Sequence, residues 1–316
     1  MVKEANEMKR ILVVAAVIRR DGRILIAQRP RDKHLGGLWE FPGGKVEDGE
    51  PVQRALAREL EEELGITPTA FRPLIRISHD YPDKAVCLEV WEVGAFAGEA
   101  HGREGQAVRW VTPAELPGFE YPAANRPIVT AARLPAQYRI TPPDIDETTG
   151  EAWLARVLAQ GAGMVLLRAP QLATDRYEAL AGLFLQHCHQ AGALLMLHGD
   201  PAQLRRVAAD GVHLPWPRLA ALEARPAVLD GRWLAASIHN RAELLQAERL
   251  GVDFVTLSPV RETASHPGVR GMGWDAFAAL AAVARVPVYA LGGMRADDLE
   301  AAWRAGAQGI ASIRGL

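Results

Sequence analysis

The 316 residues contain only two cysteines, Cys87 and Cys188, far apart and without CxxC spacing. They leave no material for a disulfide framework or a cysteine zinc site, and a reducing cytoplasm is the natural setting. Neither is expected to be catalytic. An excess charge of one sign is also missing: 36 Lys+Arg against 38 Asp+Glu gives a net charge of −2. No nucleic-acid duplex or anionic membrane is therefore expected as the main partner. Long apolar runs are absent too. ILVVAAVI at 11–18 is followed directly by Arg19 and Arg20, is too short to span a bilayer, and has no cleavage pattern of a signal peptide. It reads as a buried strand. Exact short repeats and low-complexity tracts are lacking.

What is present is ordinary globular composition, 49% hydrophobic and 23% charged, over a length that suggests two domains at about 100–200 residues each. Strand-type runs at 10–18 and 23–28 flank Asp21-Gly22, a hairpin signal. A glycine-rich loop and a helix follow, then strand-type stretches at 71–78, 85–93 and 107–111, a short helical segment opened by Pro113, and a last helix at 123–134. Strands before and after one central helix predict an α+β sandwich over 1–134.

Proline near Leu134-Pro135 and at Pro142-Pro143 marks a linker. From 135 to 316 the chain alternates strand-type and helix-type segments. The strand-type segments are 138–141, 163–169, 193–199, 211–215, 233–239, 254–260, 287–293 and 309–315. Eight such strands predict a TIM-type (β/α)8 barrel. The sequence stops just after the eighth, so the barrel is expected to lack its final helix and to have the exposed surface covered by the first domain or a partner chain. A homodimer through the barrel is a further expectation.

Residues 39–66, WEFPGGKVEDGEPVQRALARELEEELGI, carry the chemistry. Pro51 suits a first helical turn and Gly65 a helix stop. At 100° per residue Leu56, Leu60 and Leu64 share one stripe and Glu59, Glu62 and Glu63 another, with Arg58 able to pair with Glu62. Glu61 points elsewhere. Alone, an EEE run reads as a solvated helix face. The joint spacing of Gly44, Glu50, Arg58-Glu59, Glu62-Glu63, Gly65 and Ile66, however, resembles the Nudix hydrolase box at every fixed position. The resemblance implies a loop-helix-loop that binds magnesium, with manganese as the alternative, and hydrolyses a nucleoside diphosphate linked to another moiety. Hard cations that take carboxylate oxygens, water and substrate phosphates suit such a set.

From Leu12 to Leu134, EFPGGK, YPDK, GREGQ and PAANRPI fall in the order of the MutT-type members, which remove oxidised guanine nucleotides. That resemblance implies metal ligation by the Gly43 carbonyl and by Glu59, Glu62, Glu63 and Glu104, with Arg58 also in the catalytic set. It implies nucleotide contacts from Arg29, His34 and the Glu40-Phe41-Pro42-Gly43 segment, and a purine edge read by Asn125, whose amide has both donor and acceptor. Lys45 and Lys84 are candidates for steering phosphate.

The barrel resembles thiamine phosphate synthase and TenI through YRIT, ADGVHLP, ASIHN, LSPVRET, ALGGM and GAQGIASI. Gly292 and Gly293 occupy the usual phosphate site of such barrels, where backbone NH groups bind the anion. The departures matter more. His198-Gly199 stand where the synthase has Asn-Asp, the acidic residue after GVHL is missing from PWPRL, and the usual lysine is absent from ETASHPG. Arg168 is kept while the lysine near it is replaced within APQ, and Pro259 stands where the tautomerases have histidine. The barrel is expected to bind a ligand or serve as a scaffold, with Arg168, Ser237, His239, Gly292 and Gly293 lining the site.

The expected activity is cytoplasmic, magnesium-dependent hydrolysis of a modified purine nucleoside triphosphate, 8-oxo-dGTP, to the monophosphate and pyrophosphate, with Glu59 or Glu104 as base. One rival is a Nudix hydrolase of thiamine-pathway phosphates whose barrel holds substrate or product. The other is a thiamine-pathway phosphate sensor with a subordinate hydrolase.

Overall fold

A computed structural model describes residues 10–32, 35–263, 268 and 270–314. The chain forms two compact units, Met1–Arg133 and Leu134–Leu316.

The first unit is built on β1 (Ile11–Arg20), β2 (Arg23–Gln28), β3 (Trp39–Glu40), β4 (Thr67–Asp80), β5 (Ala85–Ala97) and β6 (Val108–Val111), with helices α1 (Val52–Leu64) and α2 (Arg126–Arg133). The sheet order is β3-β2-β1-β5-β4, with β6 also paired to β2. β1 is antiparallel to β2 and parallel to β5. Alternation along β1 splits it between two cores. Val14, Ala16 and Ile18 pack with Leu56, Leu60 and Leu64 of α1, whereas Ala15 and Val17 pack with Ile128, Ala131 and Ala132 of α2. The result is a helix on each face of one sheet.

In α1 the apolar stripe is fully buried, each leucine contributing roughly 1.5–3 kcal/mol. The helix begins after Pro51 and ends where Gly65 turns left-handed at φ 67°. There Gly65 N donates to the Glu61 carbonyl at 3.0 Å and Ile66 N to that of Leu60 at 3.3 Å, an αL closure that glycine permits. The opposite face of the same helix is left for polar groups.

The second unit is a closed parallel barrel of β7 (Gln137–Ile140), β8 (Met164–Leu167), β9 (Leu194–His198), β10 (Gly211–Leu214), β11 (Trp233–Ile238), β12 (Phe254–Leu257), β13 (Val288–Leu291) and β14 (Gly309–Ser312). Helices α3 (Glu147–Ala159), α4 (Thr174–Gln190), α5 (Trp216–Ala220), α6 (Arg241–Arg249), α7 (Gly273–Ala281) and α8 (Leu299–Arg304) lie along the connections. β9 and β10 are joined by a 3₁₀ turn, Pro201–Arg205, rather than an α-helix. Inside, the rings of Tyr138, Phe254 and Tyr289 lie 5.5–5.9 Å apart and fill a barrel of short strands. Outward residues such as Val165, Leu195 and Val255 pack with Phe184 and Phe277 of the helices.

The barrel strands stop earlier than the sequence pattern suggests, by one to three residues at their C-terminal ends. Ala169 and Val260 are buried but follow the last ladder pairs of β8 and β12. In the first unit β4 and β5 run longer than expected, and 123–134 divides into a 3₁₀ turn, Ala123–Asn125, and α2.

Candidate active site

The polar face of α1 meets the loop between β3 and the helix. That loop is tied to β1 at alternate residues: Ala16 N donates to Pro42 O at 2.8 Å, Val14 N to Gly44 O at 2.9 Å, and Val46 N to Leu12 O at 3.0 Å. Gly43, between two tethered carbonyls, has φ 147°, and a side chain there would stand 2.1 Å from the Val14 carbonyl. Gly44 is required for a second reason. A Cβ on it would lie 2.2 Å from Glu59 Oε2, so the space that glycine leaves is taken by a carboxylate.

Glu63 Oε2 accepts from Gly43 N at 3.1 Å. Burial, and then the negative charges of Glu40, Glu59 and Glu104, push its pKa up to about 8 against the opposing amide bond. Glu59 is also raised, chiefly by burial. Arg58 is the local counter-charge. It donates to Glu50 through Nε at 3.0 Å and Nη2 at 2.9 Å, and through Nη1 to Glu59 at 2.8 Å and Glu62 at 3.3 Å. Its Nη2 also reaches the Lys45 carbonyl at 3.0 Å. Glu50 is lowered by those Arg58 bonds first and is thus the arginine's main anchor, a part that the box spacing marks without explaining.

Glu59 and Glu63 therefore converge on the Gly43-Gly44 turn, and Glu40 and Glu104 bear on Glu63 electrostatically. Glu62 stands at the rim with its side chain 57% exposed. Glu61 is turned away and pairs with Arg103 at 3.0 Å. Among the described residues no three His, Cys, Asp or Glu side chains are arranged closely enough to hold a metal ion. Glu59 is turned onto Arg58 and Glu63 onto an amide. The donor set nonetheless fits a hard divalent cation: carboxylate oxygens crowd around a half-buried turn, with Gly44 leaving the room they need.

Arg29 pairs with Glu40. Asn125 Oδ1 accepts from Phe41 N at 3.4 Å, so this side chain is fixed to the EFPGG segment. Phe41 is buried in the core and stacks on Tyr121 at 5.8 Å. Its backbone, not its ring, faces the site. Lys84 lies 5.7 Å over the Tyr81 ring, Lys45 is exposed, and His34 lies outside the described residues. A cavity of about 440 Å³ bounded by Leu38, Phe119, Glu120, Tyr121 and Arg126 includes none of the glutamates at the Gly43-Gly44 turn.

In the barrel, Arg168 follows β8 and His198 ends β9. Thr141 Oγ1 fixes the Arg168 backbone, accepting from its N at 2.8 Å and donating to its O at 2.9 Å. His198 is half-buried and pushed down to about 4 by burial, then by Arg168 and Arg218. Sequence reading overlooked the interior chain beneath. Tyr138 OH bonds His213 Nδ1 at 3.1 Å, His213 Nε2 bonds Ser237 Oγ at 2.9 Å, and Thr256 Oγ1 donates to Ser237 Oγ at 3.3 Å. A histidine inside the apolar strand GVHL was the available signal. Ser237 belongs to this chain, whereas His239 is exposed and held by Glu243 at 2.8 Å, so the two do not come together. Gly292 and Gly293 both have positive φ, and a Cβ on Gly292 would meet Pro259 at 2.8 Å.

Residues 137–316 match the family model of thiamine monophosphate synthase, and residues 13–131 match that of the NUDIX domain. The chain is similar to an 8-oxo-dGTP diphosphatase of Escherichia coli strain K12, 37% identical over 39% of this chain and 95% of the relative. It is also similar to a CTP pyrophosphohydrolase of the same strain, 43% identical over 39% of this chain and 92% of the relative. Over the barrel it is similar to a putative thiamine-phosphate synthase 2 of Aquifex aeolicus, 32% identical over 51% of this chain and 86% of the relative.

Proposed function

Because the chain belongs to the thiamine monophosphate synthase family through its barrel and carries a NUDIX pyrophosphohydrolase domain before it, we propose that it hydrolyses 8-oxo-dGTP to the monophosphate and pyrophosphate in the cytoplasm. The observation that carries this reading is the approach of two helix carboxylates to one glycine turn, Glu63 bonded to the Gly43 amide at 3.1 Å and Glu59 filling the space that Gly44 leaves. Glu63 would hold a divalent cation in its ionised form.

Glu59, Glu62, Glu63 and Glu104 would hold magnesium, or manganese, together with the Gly43 carbonyl. The ion supplies charge neutralisation at the phosphates and a more acidic water. Arg58 keeps Glu59 oriented through its bonds to Glu50. Glu59 or Glu104 would take the proton from the attacking water, whose in-line attack forms a new P–O bond and breaks the α–β phosphoanhydride bond, giving the monophosphate and pyrophosphate. Arg29, His34, Glu40 and the Phe41-Pro42-Gly43 backbone hold the nucleotide, while Lys45 and Lys84 attract the phosphates. With Asn125 Oδ1 on the Phe41 amide, its Nδ2 group is left to donate to a base carbonyl, as guanine O6 requires.

The relatives' names differ in the base, so the test is one of substrate preference. Steady-state hydrolysis of 8-oxo-dGTP, dGTP, CTP and thiamine diphosphate is expected to give the highest kcat/KM for 8-oxo-dGTP. Equal values for 8-oxo-dGTP and dGTP would end the sanitising role, and a preference for thiamine diphosphate would favour a thiamine-pathway hydrolase.

For the barrel we infer a ligand-binding part that takes a thiamine-related phosphate without synthase chemistry. Arg168 and His198 supply the charge and hydrogen bonds, and Gly292 and Gly293 the backbone amides. Titration calorimetry of the full chain with thiamine monophosphate is expected to show heat that Arg168→Ala removes; no heat would leave the barrel as a scaffold.

A further inference from the structure

The connection from β5 to β6 carries Glu104 and docks against the C-terminal end of α1, where helix carbonyls lack intrahelical partners. His101 N donates to Leu64 O at 3.2 Å and Arg103 N to Glu63 O at 2.9 Å. Arg103 Nη1 reaches both the Glu61 carbonyl at 2.8 Å and the Glu61 carboxylate at 3.0 Å, a cation placed at the negative end of the helix dipole. Gln106 completes the attachment. Its Nε2 donates to Glu63 O at 3.0 Å, and its Oε1 accepts from Glu104 N at 2.9 Å. The far end of the loop is fixed to the sheet by Gln28 N on Ala107 O at 2.8 Å.

We propose that Gln106 is a positioning residue that sets Glu104 against Glu63, bridging the backbones of the two acids with one amide while the Glu61–Arg103 pair holds the loop down. The inference rests on the reading of Glu63 and Glu104 as metal-binding groups. Only a side-chain amide offers a donor to one backbone group and an acceptor to the other at this length. Gln106→Glu keeps the acceptor for Glu104 N but turns a carboxylate oxygen toward the Glu63 carbonyl. Gln106→Leu loses both bonds at similar volume. The arrangement also accounts for Glu61, the one member of the EEE run outside the cleft, which anchors the arginine that keeps the loop on the helix.

The probe is Mn²⁺ alone, titrated by electron paramagnetic resonance into full-length protein, alongside KM and kcat as functions of metal concentration. Gln106→Leu and Gln106→Glu are each expected to weaken Mn²⁺ binding by about 10- to 100-fold, the range for lost outer-shell partners. The kcat should recover at saturating metal, with circular dichroism and Tm unchanged. Arg103→Ala, which removes the second tether and leaves Gln106 intact, is expected to shift Mn²⁺ affinity in the same direction and replaces Gln106→Leu should that variant not fold. Glu63→Gln serves as the reference. If Glu63→Gln abolishes tight binding while the Gln106 and Arg103 variants bind as wild type, the positioning role is wrong and the metal assignment stands. If Glu63→Gln also binds as wild type, the metal assignment fails and the inference with it.

Discussion

Glu63 Oε2 sits 3.1 Å from the amide of Gly43, twenty residues earlier in the chain, so the helix and the turn before it share one carboxylate. That amide stabilises the ionised form and burial opposes it, with burial the larger effect. Glu63→Gln keeps the amide contact and removes the charge. It is expected to lower hydrolysis by on the order of 100-fold or more with Tm at or above wild type, since an amide has no ionisation for burial to oppose on folding. Near wild-type turnover at saturating magnesium would remove Glu63 from the metal site.

Gly44 offers a test of the same turn by steric means. In Gly44→Ala the new methyl enters the place of Glu59 Oε2 and swings that carboxylate off Arg58. Misplacement on this scale costs up to about 100-fold in rate, and Glu59 belongs to no apolar core, so thermal stability should change little. A Gly44→Ala enzyme with full kcat/KM would mean that the orientation of Glu59 is unimportant.

The barrel gives a pH dependence. His213 is pushed down to about 3 by burial, then by His198, and His198 to about 4 by burial, then by the arginines. Above the ordinary value of 6.5 neither folded nor unfolded chain binds these protons, and their contribution is constant. As pH falls below 6.5 the unfolded chain takes up protons that the folded barrel refuses. Stability therefore declines through 6.5 toward 4, by up to roughly 1.4 kcal/mol per pH unit for each histidine. Urea unfolding followed by barrel tryptophan fluorescence should show the decline already between about pH 6.5 and 5, before most carboxylates titrate. A flat profile there would mean that both histidines ionise freely in the folded state.

Thiol chemistry probes burial directly. Cys188 is fully buried and pushed up to about 12, by burial first and by Asp210 second, while the Sγ of buried Cys87 accepts a bond from Arg76 Nε at 3.2 Å. Both should react with a disulfide reagent on the order of 100-fold more slowly in native protein than in denaturant. Rapid labelling of one thiol in native protein would reveal local opening around that residue.

The helix that carries the glutamates was legible because its signals are local: Pro51 before it, Gly65 after it, and leucines at 56, 60 and 64 between. The eight barrel strands were legible from apolar runs, though not their ends, because burial continues past the last ladder bond at Ala169 and Val260. What the linear pattern could not supply were contacts closed across long separations. Asn125 is singled out by its motif for a purine edge, yet its Oδ1 is taken by the amide of Phe41, 84 residues away. Ser237 and His239 were both expected to line the barrel site, yet one joins the interior through His213 and the other turns to Glu243. Gln106 was in view only as the last residue of GREGQ, with no role attached, since its partners Glu63 and Glu104 become adjacent only when the β5–β6 loop lies on the helix end.

Active-site loops are often drawn from the least stable parts of a protein, yet in the candidate site the Pro42–Val46 segment is laced to the central strand β1 at every second residue. Its opening is thereby linked to opening of the sheet itself. In hydrogen-exchange experiments the amides of Val14, Ala16 and Val46 should exchange together, at rates set by global rather than local unfolding of the first unit. The turn that presents Gly43 to Glu63 would then belong to the most slowly exchanging class of the chain.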